Sequence, residues 1–394
     1  MSYQADRIRH MGTSIFAEMT HLATQHQALN LGQGFPDFPA PAFLKEAAIA
    51  AINQEINQYA PSVGRPRLRQ AVAQKMARDY GLLVNPDTEV LITHGATEAI
   101  FASILGLINP GDEVIIGEPF YDSYLPAVQM AGGIPRFYQL QPPDWAIDFD
   151  HLAGLFNAKT KLILINTPHN PTGKVFTADE MSRIAALCIE HDVLALVDEV
   201  YEHIIFDGYQ QVTMAQLPGM RPRTLHISSL GKTFSATGWK VGWVVAPPEL
   251  TQAAFRTHQF MTFCGAAPFQ EAAAVALETA TTYYEELRVM YQAKRDLLVD
   301  GLKQAGLRPL IPQGTYFVMV DISNLGFADD VAFCRYLTTE IGVAAIPPSA
   351  FYHNPQDGAG LARFAFCKRD EVLIAAAARL QHLNPPKSIL HPSQ

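Results

Sequence analysis

Lys232 is the residue whose neighbours best equip it for chemistry. Ser229 stands three residues before it, Lys240 eight residues after it, and Gly242 closes the segment. A lysine among hydroxyls and small residues can act as nucleophile or base, because burial or a nearby cation frees its amine. Two plainer readings compete. Gly231-Lys232-Thr233 matches the end of a nucleotide-binding P-loop only in part, since that loop needs a glycine where His226 stands. A lysine near glycines can also be a solvated loop residue.

Other candidates follow short apolar runs. Asp198 ends one such run, with Tyr201 three residues on. An acid there can cap the next segment or face a buried cation. A metal reading with His191, Glu199 and His203 lacks a recognised ligand spacing, and no metal is expected. Asn170-Pro171-Thr172-Gly173 makes a turn in any reading. Gly95, Ala96 and Thr97 open a helical stretch, and free N–H groups at such a start suit a phosphate. Tyr121 follows the next apolar run, where an aromatic ring packs in a core or stacks on a planar ligand. Arg363 sits inside the apolar run 362–367, where its charge needs a structural partner or an anionic ligand.

These residues need a frame, and the hydrophobic pattern supplies one. Apolar, β-rich runs at 89–93, 113–117, 161–167, 193–198, 224–228 and 241–246 read as strands. Stretches of helical length at 96–107, 121–131 and 178–190 lie between several of them. Such alternation predicts an α/β fold with a mostly parallel sheet, whose ligands bind at the carboxyl ends of the strands. Beyond about residue 285 the pattern changes to a helix (283–303), a strand (315–321), a helix (329–341), a strand (362–367) and a last helix (371–383), which reads as a smaller α+β unit. Residues 31–41, rich in Gly and Pro, are too irregular for a helix.

Composition removes several function classes. The 394 residues are 48% hydrophobic and 17% charged, as in well-packed enzymes. A net charge of −9 argues against a nucleic-acid surface. No run reaches the roughly 18 apolar residues of a membrane span, and Met1–Met11 carries charges without the apolar core of a secretory signal. Cys188, Cys264, Cys334 and Cys367 lack metal or redox spacing and are expected to be reduced. A cytoplasmic location is the expectation.

In this order, the segments resemble those of fold-type I pyridoxal-phosphate (PLP) aminotransferases of class I/II, and are most similar to the methionine and kynurenine–oxoglutarate aminotransferase group. The resemblance runs from about residue 31 to 383 and implies a role for each candidate. Lys232 would form the Schiff base with pyridoxal 5'-phosphate and shuttle the proton. Asp198 would face the pyridine nitrogen, and Tyr201 and Asn170 the phenolic oxygen. Gly95, Ala96, Thr97, Ser229 and Lys240 would hold the phosphate, with lysine at 240 where many relatives have arginine. Tyr121 would stack on the ring, and Arg363, with the Gly34 backbone and Asn170, would bind the substrate. Phe16 and Phe263 would line the substrate pocket, while Cys264 stands where some kynurenine-active relatives have histidine. Tyr59 would cross a homodimer interface to the neighbouring subunit's phosphate.

The implied architecture is a large PLP-binding domain, 46–285, with a mostly parallel seven-stranded sheet flanked by helices. A small α+β domain would combine 1–45 with 286–394. The implied reaction is ping-pong transfer from an apolar, sulfur-containing or aromatic amino acid to a 2-oxo acid. Elimination from cysteine S-conjugates, a β-lyase reaction, would use the same residues. A non-catalytic PLP-binding regulator is the third reading.

Overall fold

The structure, a computed structural model, describes residues 3–9, 12, 15–279 and 281–384. Its first strand is short, β1 (Leu29–Asn30). The main sheet follows with β2 (Val90–Thr93), β3 (Glu113–Glu118), β4 (Ile134–Gln141), β5 (Ala146–Ile147), β6 (Thr160–Asn166), β7 (Leu194–Asp198), β8 (Thr224–Ser229) and β9 (Gly242–Val245). Their order across the sheet is β2-β9-β8-β7-β6-β3-β4-β5. Strands β4, β3, β6, β7 and β8 pair in parallel, and β9 runs antiparallel between β8 and β2.

Among the described residues the sheet therefore has eight strands where seven were expected. The additional one is β5: the chain reverses at Trp145 (φ 57°), so that Ala146–Ile147 pairs with Leu140–Gln141. This covers part of an edge that would otherwise present unpaired N–H and C=O groups.

Strands β2, β3, β8 and β9 are buried along their whole length, as near-continuous apolar runs covered on both faces should be. One face carries the helices Gly95–Leu107 and Pro248–Met261, packed through Ile100, Ile104 and Ala254. They approach closely because residue 106 is glycine. A Cβ there would sit 2.4 Å from the Ala253 carbonyl oxygen. The other face carries Pro66–Tyr80, Ala178–Glu190 and Ala267–Thr279. Ala178–Glu190 starts at a capping box between Thr177 and Glu180.

The C-terminal unit is built on the helix Thr281–Gln304. It adds β10 (Arg308–Leu310), β11 (Phe317–Asp321), β12 (Val343–Ala344) and β13 (Leu361–Ala365). Strands β10, β11 and β13 form an antiparallel sheet, and β12 pairs with β1. N-terminal residues thus share its core: Met19 and Leu31 pack in one cluster with Leu298, Phe333 and Phe364. Two helices, Ala42–Asn53 and Thr281–Gln304, run across the limits expected for the large unit, and 385–394 lie outside the described residues.

One expected helix begins late. The stretch 121–131 is helical only over Tyr124–Met130, and Tyr121 sits in the preceding turn, its carbonyl accepting from the Tyr124 amide at 3.0 Å. Among the described residues no helix is long and apolar enough to cross a membrane.

Candidate active site

Because β9 is antiparallel between β2 and β8, its first residue lies at the same edge of the sheet as the carboxyl ends of its neighbours. The register sets Ser229 and Thr93 beside Gly242, Asp198 beside Ile227, and Asn166 beside Asp198. Segments far apart in sequence thereby converge on one cavity of about 160 Å³. The 95–97 turn, Tyr121, Asn170, Asp198 and Tyr201 form part of its wall, and Ser229, Lys232 and Lys240 close it. An adjoining cavity of about 270 Å³ shares Lys232, Tyr121 and Tyr201, and adds Phe16, Gly34 and Arg363.

Two expected residues are not brought there on the same chain. Tyr59 is 84% exposed and packs edge-on against Phe263, with ring centroids 5.5 Å apart. Phe263 leaves the helix Pro248–Met261 at φ 67°, which turns its half-exposed ring outward rather than into the cavity.

Asp198 lies buried at the floor. Its Oδ2 accepts from the Tyr124 hydroxyl at 2.7 Å and its Oδ1 from the Val200 amide at 3.3 Å. Burial pushes its carboxyl up to about 6, and those two bonds limit the rise. Asn166 locks this corner to the Asn170 turn. Its Oδ1 accepts from the Asn170 amide at 2.7 Å, and its Nδ2 donates to the Asp198 carbonyl at 2.8 Å.

Lys232 follows Ser229 in the single helical turn Leu230–Thr233, with its ammonium 5.6 Å from the Tyr201 ring and 5.7 Å from the Tyr316 ring. Burial lowers its pKa to about 8, so the free amine is far more accessible near neutral pH than that of an ordinary lysine. Tyr201 meets Tyr316 edge-on at 5.1 Å, and burial raises its phenol above the usual range. The Tyr316 hydroxyl in turn donates to the Gly34 carbonyl at 2.6 Å, which fixes the loop opposite.

Arg363, on β13, is buried. Its Nη1 donates to Asn170 Oδ1 at 3.1 Å and its Nη2 to the Gly32 carbonyl at 2.9 Å, while Nε has no hydrogen-bond partner. The guanidinium lies 4.1 Å from the Phe317 ring centroid and 5.1 Å from that of Phe16. Burial lowers its pKa to about 10, which leaves it charged. Among the described residues it makes no ion pair, so an anion entering the cavity meets a desolvated cation.

Tyr124, Asn166 and Tyr316 were not among the candidates. Tyr124 had a signal, three residues after Tyr121 in the same post-strand segment. Asn166 and Tyr316 act through partners that only the fold reveals.

The residues present fit PLP. Gly95 takes φ +80°, which L side chains rarely adopt, and a Cβ there would crowd Lys240 Nζ at 3.2 Å. Gly242 likewise admits none, since its Cβ would fall 2.6 Å from the Gly95 carbonyl carbon. The start of a helix, a hydroxyl and a lysine are thus pressed into one corner that suits a phosphate. Asp198, a buried carboxylate with no ion pair among the described residues, suits a protonated ring nitrogen.

Comparison with known proteins agrees with this geometry. Residues 26–380 match the family Aminotransferase class I and II. A Dictyostelium discoideum protein named kynurenine–oxoglutarate transaminase is 42% identical, with 94% of each chain covered. A Mycobacterium tuberculosis protein named probable N-succinyldiaminopimelate aminotransferase is 44% identical, over 96% of this chain and 98% of the other. A solved Escherichia coli structure, reported as a methionine aminotransferase, superposes with a TM-score of 0.94 at 42% identity, covering 97% of this chain and all of that one. These likenesses favour amino transfer over elimination. The chain belongs to the class I and II aminotransferases, enzymes that use pyridoxal 5'-phosphate to pass an amino group from an amino acid to a 2-oxo acid.

Proposed function

We propose that the preferred donor is an apolar, sulfur-containing or aromatic amino acid: methionine, an aromatic amino acid or kynurenine. The observation that carries this reading is the charge pattern of the cavity beside Lys232. Phe16, Phe35 and Phe317 face it, Arg363 and Lys232 are the cations on its wall among the described residues, and Asp122 adds a carboxylate. With Arg363 engaged by the α-carboxylate, a second carboxylate on the side chain meets aromatic faces and Asp122. Relatives reported for methionine and kynurenine support the same reading.

Bound PLP supplies a carbonyl for the substrate amine and an electron-withdrawing ring. The protein's own residues do the rest. Arg363, Asn170 and the Gly34 backbone orient the carboxylate. Lys232 Nζ would take the substrate's α-proton as general base, a duty suited to an amine with a pKa near 8. Asp198 would hold negative charge against the ring nitrogen, and the Tyr201 hydroxyl and Asn170 would serve the phenolic oxygen. Tyr121 would cover the ring face, while Gly95, Ala96, Thr97, Ser229 and Lys240 would hold the phosphate.

The active unit in this reading is a homodimer in which Tyr59 reaches the neighbouring subunit's site, consistent with its exposure. The chain divides at 46–285 against 1–45 with 286–394, and it works in the cytoplasm. A donor screen with several oxo acids tests the substrate assignment. Methionine, phenylalanine, tryptophan or kynurenine should give the highest kcat/KM; a clear preference for aspartate or N-succinyldiaminopimelate would overturn it.

A further inference from the structure

Behind the cavity, a buried histidine joins two segments that the proposed dimer assigns to different active sites. His258, in the last turn of Pro248–Met261, is completely enclosed. Its Nδ1 lies 2.7 Å from Glu98 Oε1, and its Nε2 lies 2.8 Å from the Ser62 carbonyl oxygen. A carboxylate and a backbone carbonyl thus meet the two nitrogens of one ring, which spans the segments that carry them.

Glu98 is the next residue after Thr97, in the first turn of the helix whose start faces Lys240. Its Oε2 accepts from the His94 amide, and the Thr262 hydroxyl adds a bond to Oε1. Burial works to raise the Glu98 carboxyl, but the bonds from His258, Thr262 and His94 outweigh it and hold it below its ordinary range. An ionised acceptor makes the bridge a strong one.

On the other side, Ser62 belongs to the loop that carries Tyr59. The next carbonyl in that loop, of Val63, accepts from the Ile92 amide of β2 at 3.0 Å. Thr262 immediately precedes Phe263, the residue against which Tyr59 packs. His258 therefore grips the phosphate turn of its own chain's site with one nitrogen and the outward-facing Tyr59 loop with the other.

We propose that His258 is a positioning residue that sets the Tyr59 loop against the phosphate turn, and so couples cofactor binding at one site of the dimer to the other. The proposal rests on the homodimer reading above. Hybrid dimers test it. One protomer is wild type and its partner carries Lys232→Ala, so that borohydride traps cofactor at a single site, whose PLP dissociation constant is read by titration. The partner protomer additionally carries His258→Gln, Tyr59→Phe or neither.

His258→Gln in the partner should weaken PLP binding at the intact site about tenfold, the scale of one hydrogen bond to a charged group. A merely local role would leave that site unchanged, because its own His258 is present. An unchanged constant with His258→Gln, alongside a raised one with Tyr59→Phe, overturns the proposal and spares the dimer reading. If neither substitution raises it, the trans assignment of Tyr59 fails and the coupling falls with it. Should the His258→Gln protomer not assemble, Glu98→Ala removes the same bridge from its other end and is read the same way.

Discussion

The Tyr124 hydroxyl donates to Asp198 Oδ2 across 2.7 Å, the shortest side-chain bond made by the acid at the cavity floor. It stabilises the charged carboxylate against a burial that pushes it up to about 6. Tyr124→Phe should raise that pKa further and move the acid limb of the kcat profile to higher pH. Activity near neutrality should fall about tenfold, as expected for one lost bond to a charged group. A profile superimposable on the wild type would contradict this.

Asp198 itself should make the cofactor-free protein depend on pH. Its folded pKa, about 6, lies above its ordinary 3.8, so between these values the folded chain holds a proton that the unfolded chain has lost. Stability therefore falls as pH rises through this window, reaching a cost of about 3 kcal/mol above it. Asp198→Asn removes the charge. At pH 7 the cofactor-free variant should melt above the cofactor-free wild type, yet bind PLP weakly. Calorimetry at pH 4 and pH 7 with both proteins checks the sign.

Lys232→Ala should reduce transfer to below about one thousandth, the loss expected when nucleophile and general base vanish together. Excess PLP should still bind, held by the phosphate corner, but borohydride should no longer fix it to the chain. Mass spectrometry after reduction gives a direct reading.

Arg363→Lys keeps a charge but cannot form two parallel bonds to a carboxylate. It should lower kcat/KM about a hundredfold through a raised KM. Amines without an α-carboxylate should react equally poorly with both proteins. A lysine variant that discriminates between the two donor types as well as the wild type does would remove Arg363 from the carboxylate site.

Much of this frame was legible because the central strands are buried on both faces and read as unbroken apolar runs. β4 was not. Only Tyr138 and Leu140 in it are buried, and it carries Pro135, so it offers no continuous apolar run. The start of the helix at Tyr124 was hidden because the two residues before it, Asp122 and Ser123, suit a helix interior by spacing though not by chemistry. Lys232, Asp198 and Arg363 stood out as polar groups in apolar or glycine-rich settings. His258 gave no such signal, since its two partners lie 160 and 196 residues away in the chain.

The strand register described above has a consequence for size. Asp198 pairs with Ile227, and Ser229 lies two residues further along the adjacent strand. By ordinary sheet dimensions, one strand gap and two residue rises separate the two positions by roughly 8 Å. The sheet thus works as a gauge. It sets how far apart the backbone positions of Asp198 and Ser229 begin, before their side chains reach toward a ligand. A slip of one residue between β7 and β8 would turn one end of the gauge to the opposite face, so this pairing tolerates no drift.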